Sequence, residues 1–384
     1  MKFIPLLPAV LLLLSACKAD TAPETTKPVV PQNVEVTFNP NAAATRGPVP
    51  AGSLSTNKAF RVWATKTATG TTVEEAFIND NTSNIVAFDN LSLSWRTTGA
   101  TYYWPDVPGT TYDVTFYGLY PPTAPTTADI VSTKSVTFDS TKPIEGTTDV
   151  LYTKLPTSLT AILSSSSSAV PLQFSHALTQ LAFKGKLSDD FNTSGMSVTV
   201  GSIRICNVNS TGTLHLDAAT SATLWTPSSP AVLRNYDLTM VSNTGIVLTN
   251  TAQALTSTSE IPMVMPQSLT KWDPTSNSIY VVDGISTKTA TTGCYLAIDC
   301  KMLDMNTNTY SIGDANTYDT IYVPFAVDPI DVTLKWEPGT RYTYILSFGS
   351  GYDSQGQTLD VRLIQISTSI NEWGEGSTSD GIAA

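Results

Sequence analysis

Apolar and polar residues alternate along short stretches of this chain, and such stretches recur from residue 34 to residue 370. Val34-Glu35-Val36-Thr37-Phe38 puts Val34, Val36 and Phe38 on one face, the period-two signature of a half-buried strand. Ala59 to Ala64, parts of Ile85 to Trp95, Val136 to Phe138 and Asp149 to Tyr152 read the same way. Tyr102 to Pro105, a turn through Asp106 to Thr110, and Tyr112 to Tyr120 ending at Pro121-Pro122 predict a hairpin-like unit. Further on, Leu172 to Leu178, Met196 to Cys206, Thr213 to Leu216, Asp237 to Val241, Ile261 to Met265, Ile279 to Val282, Cys294 to Met302, Ile321 to Val327, Arg341 to Phe348 and Leu359 to Ile370 are strand candidates. The apolar phase shifts across Thr179-Gln180 to Leu181 and Phe183, which predicts a β-bulge there.

No stretch of more than about two turns carries a 3.6-residue apolar period. Short strands at this spacing, separated by turn residues, predict an all-β chain with a Greek-key sandwich in each half. The serine run Ser164 to Ser168 is the most featureless polar point in the middle. It sets the expected boundary, with sandwiches over 47–168 and 169–358 and a last strand plus tail over 359–384.

Composition narrows the class. Only 14% of the 384 residues are charged against 41% hydrophobic, and threonine is about as common as the four charged residue types together. Thr, Val, Tyr and Trp suit pleated, half-buried strands. The net charge of −11 argues against a surface that holds phosphates, so no nucleic-acid partner is expected. Two histidines leave little for acid–base or metal chemistry near neutral pH. The chain has no G-x-S-x-G elbow, Walker A loop, G-x-G-x-x-G or H-E-x-x-H. Trp104-Pro105-Asp106 lacks the Cys and Arg of a phosphatase loop. His176, between Phe174 and Leu178 on one strand face, reads as a hydrogen-bonded core residue; His215 reads as outward-facing. The acidic turns lack the ligand density of a calcium loop. No enzyme, cofactor or metal is expected.

The N-terminus is an address. Met1-Lys2 precedes the apolar run Phe3 to Leu14, too short to span about 30 Å of hydrocarbon and interrupted by two prolines. It reads as a signal peptide over 1–16. Leu14-Ser15-Ala16-Cys17 resembles the bacterial lipobox, in which the Cys becomes the lipidated (palmitate-bearing) first residue. Several acyl chains on Cys17 would anchor the chain stably in a membrane. Lys18 to Pro31 is Pro-, Thr- and Ala-rich, as a tether should be. Of the other cysteines, Cys294 and Cys300 share one face of one strand, about 20 Å apart, beyond disulfide reach. They read as small core residues.

Several segments together resemble the Bacteroidetes fimbrillin family, the subunits of type V pili. They are the lipobox at Cys17, the strand followed by Ala44-Thr45-Arg46-Gly47, the unit TYYWPDVPGTTYDVTFYGLYPP, Asp149 to Tyr152, Phe174-Ser175-His176-Ala177-Leu178, and Trp336-Glu337-Pro338-Gly339 with Arg341 to Tyr344 before a final strand and Trp373. The resemblance implies two transthyretin-like β-sandwich domains and export to the outer membrane as a lipoprotein. It also implies cleavage after an arginine by a trypsin-like surface protease, with Arg46 before Gly47 as the matching residue.

The implied sequence of events has a physical logic. Residues 17–46 would form a tether and a strand whose apolar face, Val34, Val36 and Phe38, lies in the first sheet. Cutting at Arg46–Gly47 would leave a groove flanked by unpaired strand edges, which another fimbrial subunit fills by β-augmentation. The expected donor is Leu359 to Ile370, with Leu359, Val361 and Leu363 in one phase and Ile364, Ile366 and Ile370 in a second. Such head-to-tail insertion does not close, and so builds a cell-surface filament that supports adhesion. Two alternatives are a tip adhesin of the same family and a monomeric lipoprotein that captures glycans through exposed aromatics. Host or bacterial glycans or proteins are the adhesion ligands those alternatives imply.

Overall fold

The computed structural model describes residues 34–42, 52–80, 84–105, 110–125, 130–158, 161–162, 169–188, 195–257, 260–269, 293–324, 335–349, 351–352, 358–360 and 364–372. Cys17, Arg46, Gly47, Val361, Leu363, the serine run 164–168 and Trp373 lie outside them. The described chain is all-β. Its helical segments are the four-residue Ile130–Thr133, a pair at 161–162 and the 3-10 turn Ser221–Thr223.

One large sheet organises the first half. Its strand order is Gly52–Ser53, Asn41–Ala42, Gln173–His176, Leu151–Ser158, Tyr112–Tyr120, Phe60–Ala68, Ile85–Asp89 and Ser94–Thr97, with Glu74–Ile78 also paired to Phe60–Ala68. Alternation sorts its side chains. Phe60, Val62, Ala64, Tyr112, Val114, Phe116, Leu151 and Phe174 enter one core, while Trp63, Tyr117, Leu119 and Tyr152 turn to the other face. Gly118 lies where Phe174 crosses the sheet. A Cβ there would stand 2.6 Å from Thr153 Cγ2 and 2.9 Å from Phe174 Cζ, too close for any larger residue.

The predicted hairpin over 102–122 does not form. Tyr112–Tyr120 sits centrally, antiparallel to Phe60–Ala68 and Leu151–Ser158, whereas Tyr103 bridges to Glu35. Similar alternation on two segments close in sequence does not make them neighbours when longer partners compete for each edge. The phase shift near residue 179 is likewise no bulge. Gln173–His176 pairs with Leu151–Ser158 in the first sheet, and Thr179–Leu187 runs parallel to Thr340–Phe348 in another. The chain changes sheets at Ala177-Leu178, so the apolar phase has to change with it.

The second core lies between two sheets. One has the order Gln253–Ala254, Thr179–Leu187, Thr340–Phe348, Ile364–Glu372, with Met263–Val264 also on Thr179–Leu187. The other has the order Leu233–Asp237, Met196–Asn209, Tyr295–Asp304, Thr309–Ile312, with Ile246–Val247 and Asp319–Pro324 attached. Cys294 and Cys300 fill this core beside Leu296 and Ile298, as their spacing predicts; Cys206 lies buried in a smaller cluster with Tyr295 and Ala297. All three thiols are free. A third cluster joins the halves. Ser135–Phe138 pairs with Gly212–His215, which pairs with Trp225–Pro227, and this small sheet packs its Val136, Phe138, Leu214 and Trp225 with Trp63, Tyr117 and Leu119.

The Trp336 to Tyr344 motif pins the base of the second core. Trp336 Nε1–H donates to Tyr344 Oη at 2.9 Å, and Tyr342 Oη donates to the Lys335 carbonyl at 2.9 Å. Gly339 takes the left-handed turn (φ +67°) that lets its N–H reach the Leu178 carbonyl at 2.8 Å.

Candidate assembly site

The segment 34–42 is a plug inserted between two strand edges. On one side its backbone runs antiparallel to residues 95–104. Val36 N–H donates to the Tyr102 carbonyl (2.9 Å), Phe38 N–H to the Trp95 carbonyl (2.9 Å), and Trp104 N–H to the Val34 carbonyl (2.9 Å). On the other side it runs parallel to residues 170–174. Asn39 N–H and Asn41 N–H donate to the Val170 and Leu172 carbonyls (both 2.8 Å), while Val170 N–H and Leu172 N–H donate to Thr37 and Asn39 (2.8 and 3.1 Å). The plug therefore closes the first sheet on itself, joining the edge at Ser94–Thr97 to the edge that ends in Gln173–His176.

Its side chains fill the core beneath. Val36 and Phe38 are 1% and 3% exposed, and Val34 is half-buried against the same cluster. Phe38 meets Phe60 and Phe116 edge-on, with ring centroids 6.3 and 6.0 Å apart. Phe60 in turn packs on Trp95 and Phe174 at 5.8 and 5.1 Å. Burial of Val36 and Phe38 contributes on the order of 1.5–3 kcal/mol each. Outward, Glu35 meets Arg96. Arg96 Nε–H donates to Glu35 Oε1 at 2.8 Å, and a second contact joins Nη2 to Oε2. Arg96 also reaches Asp89 Oδ2 at 3.3 Å. The Glu35 hydrogen bond is the main reason the guanidinium is held above its ordinary pKa, with Asp89 adding to it.

The C-terminal candidates are arranged differently. Leu359 lies in Thr358–Asp360, which pairs with Gly351–Tyr352. Ile364–Glu372 forms an unbroken antiparallel ladder on Thr340–Phe348, from Phe348 opposite Ile364 to Thr340 opposite Glu372. Ile364 and Ile366 pack half-buried on the second core, whereas Ile370 is 64% exposed.

Other candidates for chemistry are structural. His176 Nδ1 lies 2.8 Å from Asp149 Oδ2, both side chains almost fully buried, so His176 is the core residue that its strand position predicts. His215 is half-buried, its Nε2 2.9 Å from Thr226 Oγ1. Among the described residues, Trp63, Trp95, Trp104, Trp225 and Trp336 are all buried, which removes them as sugar platforms. No cluster of potential metal ligands occurs among the described residues. Burial pushes the Cys206 thiol up to about 11 and the Cys300 thiol up to about 12, so both stay protonated and unreactive near neutral pH.

Sequence reading missed the partners of the plug. Arg96 is far from Glu35 in sequence, and no local pattern links them. The strand edge at Val170 and Leu172 carried an apolar signal without any sign of what it pairs with.

The described chain is thus all-β, with hydrophobic cores on both faces of its first sheet, another between two further sheets, and a strand inserted between two edges of the first sheet. The chain belongs to the fimbrillin-like family, whose model matches residues 45–373. It is similar to the crystal structure of a fimbrial protein from Bacteroides vulgatus, at 15% identity and a TM-score of 0.51, covering 88% of this chain and all of that one. It also aligns with the tip fimbrial protein Mfa3 from Porphyromonas gingivalis, solved with a C-terminal truncation, at 12% identity and a TM-score of 0.39, over 89% of this chain and all of that one. No curated protein matches the chain.

Proposed function

We propose that this chain is a subunit of a cell-surface fimbrium, exported as a lipoprotein through Cys17 and matured by a trypsin-like surface protease that cuts between Arg46 and Gly47. Cutting there frees residues 17–46, the plug included, and the vacated groove takes a strand from another fimbrial subunit. The observation that carries this reading is the plug itself. It supplies core side chains and edge hydrogen bonds, yet it lies N-terminal to Arg46. A groove so opened exposes apolar surface and two unpaired edges, an arrangement that favours β-augmentation. In cells, Arg46→Ala should leave a lipidated protein that does not assemble; fimbriae of normal length from that variant would refute the cleavage step.

Two roles in the filament remain, and they differ at the C-terminus. As a stalk subunit the chain would donate Leu359 to Ile370 to its neighbour. As a tip subunit, which adheres to its ligand and donates no strand, it would keep that segment. The ladder of Ile364–Glu372 on Thr340–Phe348 favours the tip role, because donation would strip an edge strand from the second core. Deleting residues 359–384 separates the two. Filaments should become much shorter if the chain is a stalk subunit, whereas their length should not change if it is a tip subunit, which donates no strand.

A further inference from the structure

The alternation of Val34, Val36 and Phe38 leaves one feature of the groove unspecified. A strand slipped by one residue would turn its apolar face outward, but a slip of two keeps every apolar side chain pointing inward. Apolar pockets therefore select the face of an incoming strand without fixing its register. The polar side of the plug supplies a marker at a single position. Glu35, between the first two inward residues, is the plug's acidic residue, and it grips Arg96 through two contacts. Arg96 and Glu35 are 34% and 22% exposed, sheltered enough to be selective and open enough to be reached. Asp89, the other partner of Arg96, belongs to the adjacent strand of the sheet and stays when residues 17–46 leave. Loss of the plug thus frees one side of a guanidinium at the groove edge.

We propose that Arg96 determines which strand enters the groove, and in what register, by pairing with a carboxylate on the incoming strand of another subunit. This rests on the strand-replacement reading above. The occupant it specifies is a strand running in the direction of the plug, with inward apolar residues at three alternate positions and an Asp or Glu between the first two. A strand with Lys or Arg there is turned away by like charge. A planar guanidinium accepts a carboxylate in a fixed, two-pronged geometry, which suits a register pin better than a flexible ammonium would.

The test uses the full exported chain, cut after Arg46, and fluorescent nine-residue peptides of sequence 34–42. One peptide is unaltered, one carries Glu35→Gln and one Glu35→Lys; anisotropy reports entry. The unaltered peptide should bind most tightly, the Gln peptide about 3-fold more weakly and the Lys peptide about 10-fold or more weakly at low salt. On the Arg96→Glu chain the order should invert, with the Lys peptide first. On the Arg96→Gln chain, a milder change that guards against misfolding, the Glu and Gln peptides should bind alike. Equal binding of all three to the unaltered chain, or a uniform loss on Arg96→Glu without inversion, would overturn the assignment to Arg96 while leaving strand replacement standing. If no peptide enters any chain, strand replacement itself fails, and this inference falls with it.

Discussion

The two ends of the described chain are held in different ways. The N-terminal plug makes short runs of backbone pairing on two sides and drives Val36 and Phe38 almost completely into the first core. The C-terminal strand Ile364–Glu372 pairs along its whole length on one side, but its apolar residues are only half-buried or, at Ile370, exposed. Both are held by backbone hydrogen bonds, but only the plug also drives side chains fully into a core. Side-chain pockets empty all at once and leave a receptive cavity, whereas a lost ladder leaves a bare edge. In the function proposed here, the plug is therefore the element whose removal would create a binding site.

Substitutions should expose that difference. The largest effect is expected for Phe38→Ala in the uncut chain. Truncation of an almost fully buried aromatic that contacts Phe60 and Phe116 should cost about 3–5 kcal/mol, read by urea denaturation of the first core. A cost below about 1 kcal/mol would mean that the plug is not held by its side chains. At the other end, Ile366→Ala should cost about 1–2 kcal/mol in the second core, and Ile370→Ala less than about 0.5 kcal/mol. Equal costs at the two isoleucines would contradict the half-buried edge.

A smaller, qualitative effect concerns the thiols. With Cys206 raised to about 11 and Cys300 to about 12 by burial, neither should react with iodoacetamide at pH 8 until the second half unfolds. Labelling of the folded chain at either residue would show that this half opens more readily than its packing implies.

The smallest expected effect sits beside the groove. The Leu91 N–H, the Ser92 hydroxyl and Arg96 hold the Asp89 carboxyl below its ordinary value. Its folded pKa is depressed, so the stability it contributes is present above the ordinary carboxylate pKa and is lost as pH falls through the lowered folded value. Asp89→Asn should flatten that acid limb in a melting series across low pH. An unchanged limb would mean that Asp89 is not what titrates there.

Much of this architecture was readable because strand faces repeat every two residues. Val34, Val36 and Phe38 lie on one inward face, and Cys294 and Cys300 sit in the core with Leu296 and Ile298. Alternation carries no information about which strand is the neighbour, and there the reading failed. Tyr112–Tyr120 pairs with strands on both sides rather than with Tyr102 to Trp104. The shift at Thr179 marks a change of sheet, and Ser135–Phe138 crosses to pair with Gly212–His215 from the other half. The plug was visible as an amphipathic strand before an arginine. Its ion pair to Arg96 was not, because pairing of distant polar residues depends on register, which only the assembled sheet fixes.

The central claim is that residues 34–42 occupy a groove that assembly refills. Mass spectrometry of the subunit from purified surface filaments tests it most directly. The account predicts a chain beginning at Gly47 with residues 34–42 absent. Filament subunits that retain Val34 to Phe38, still joined to the rest of the chain, would contradict it.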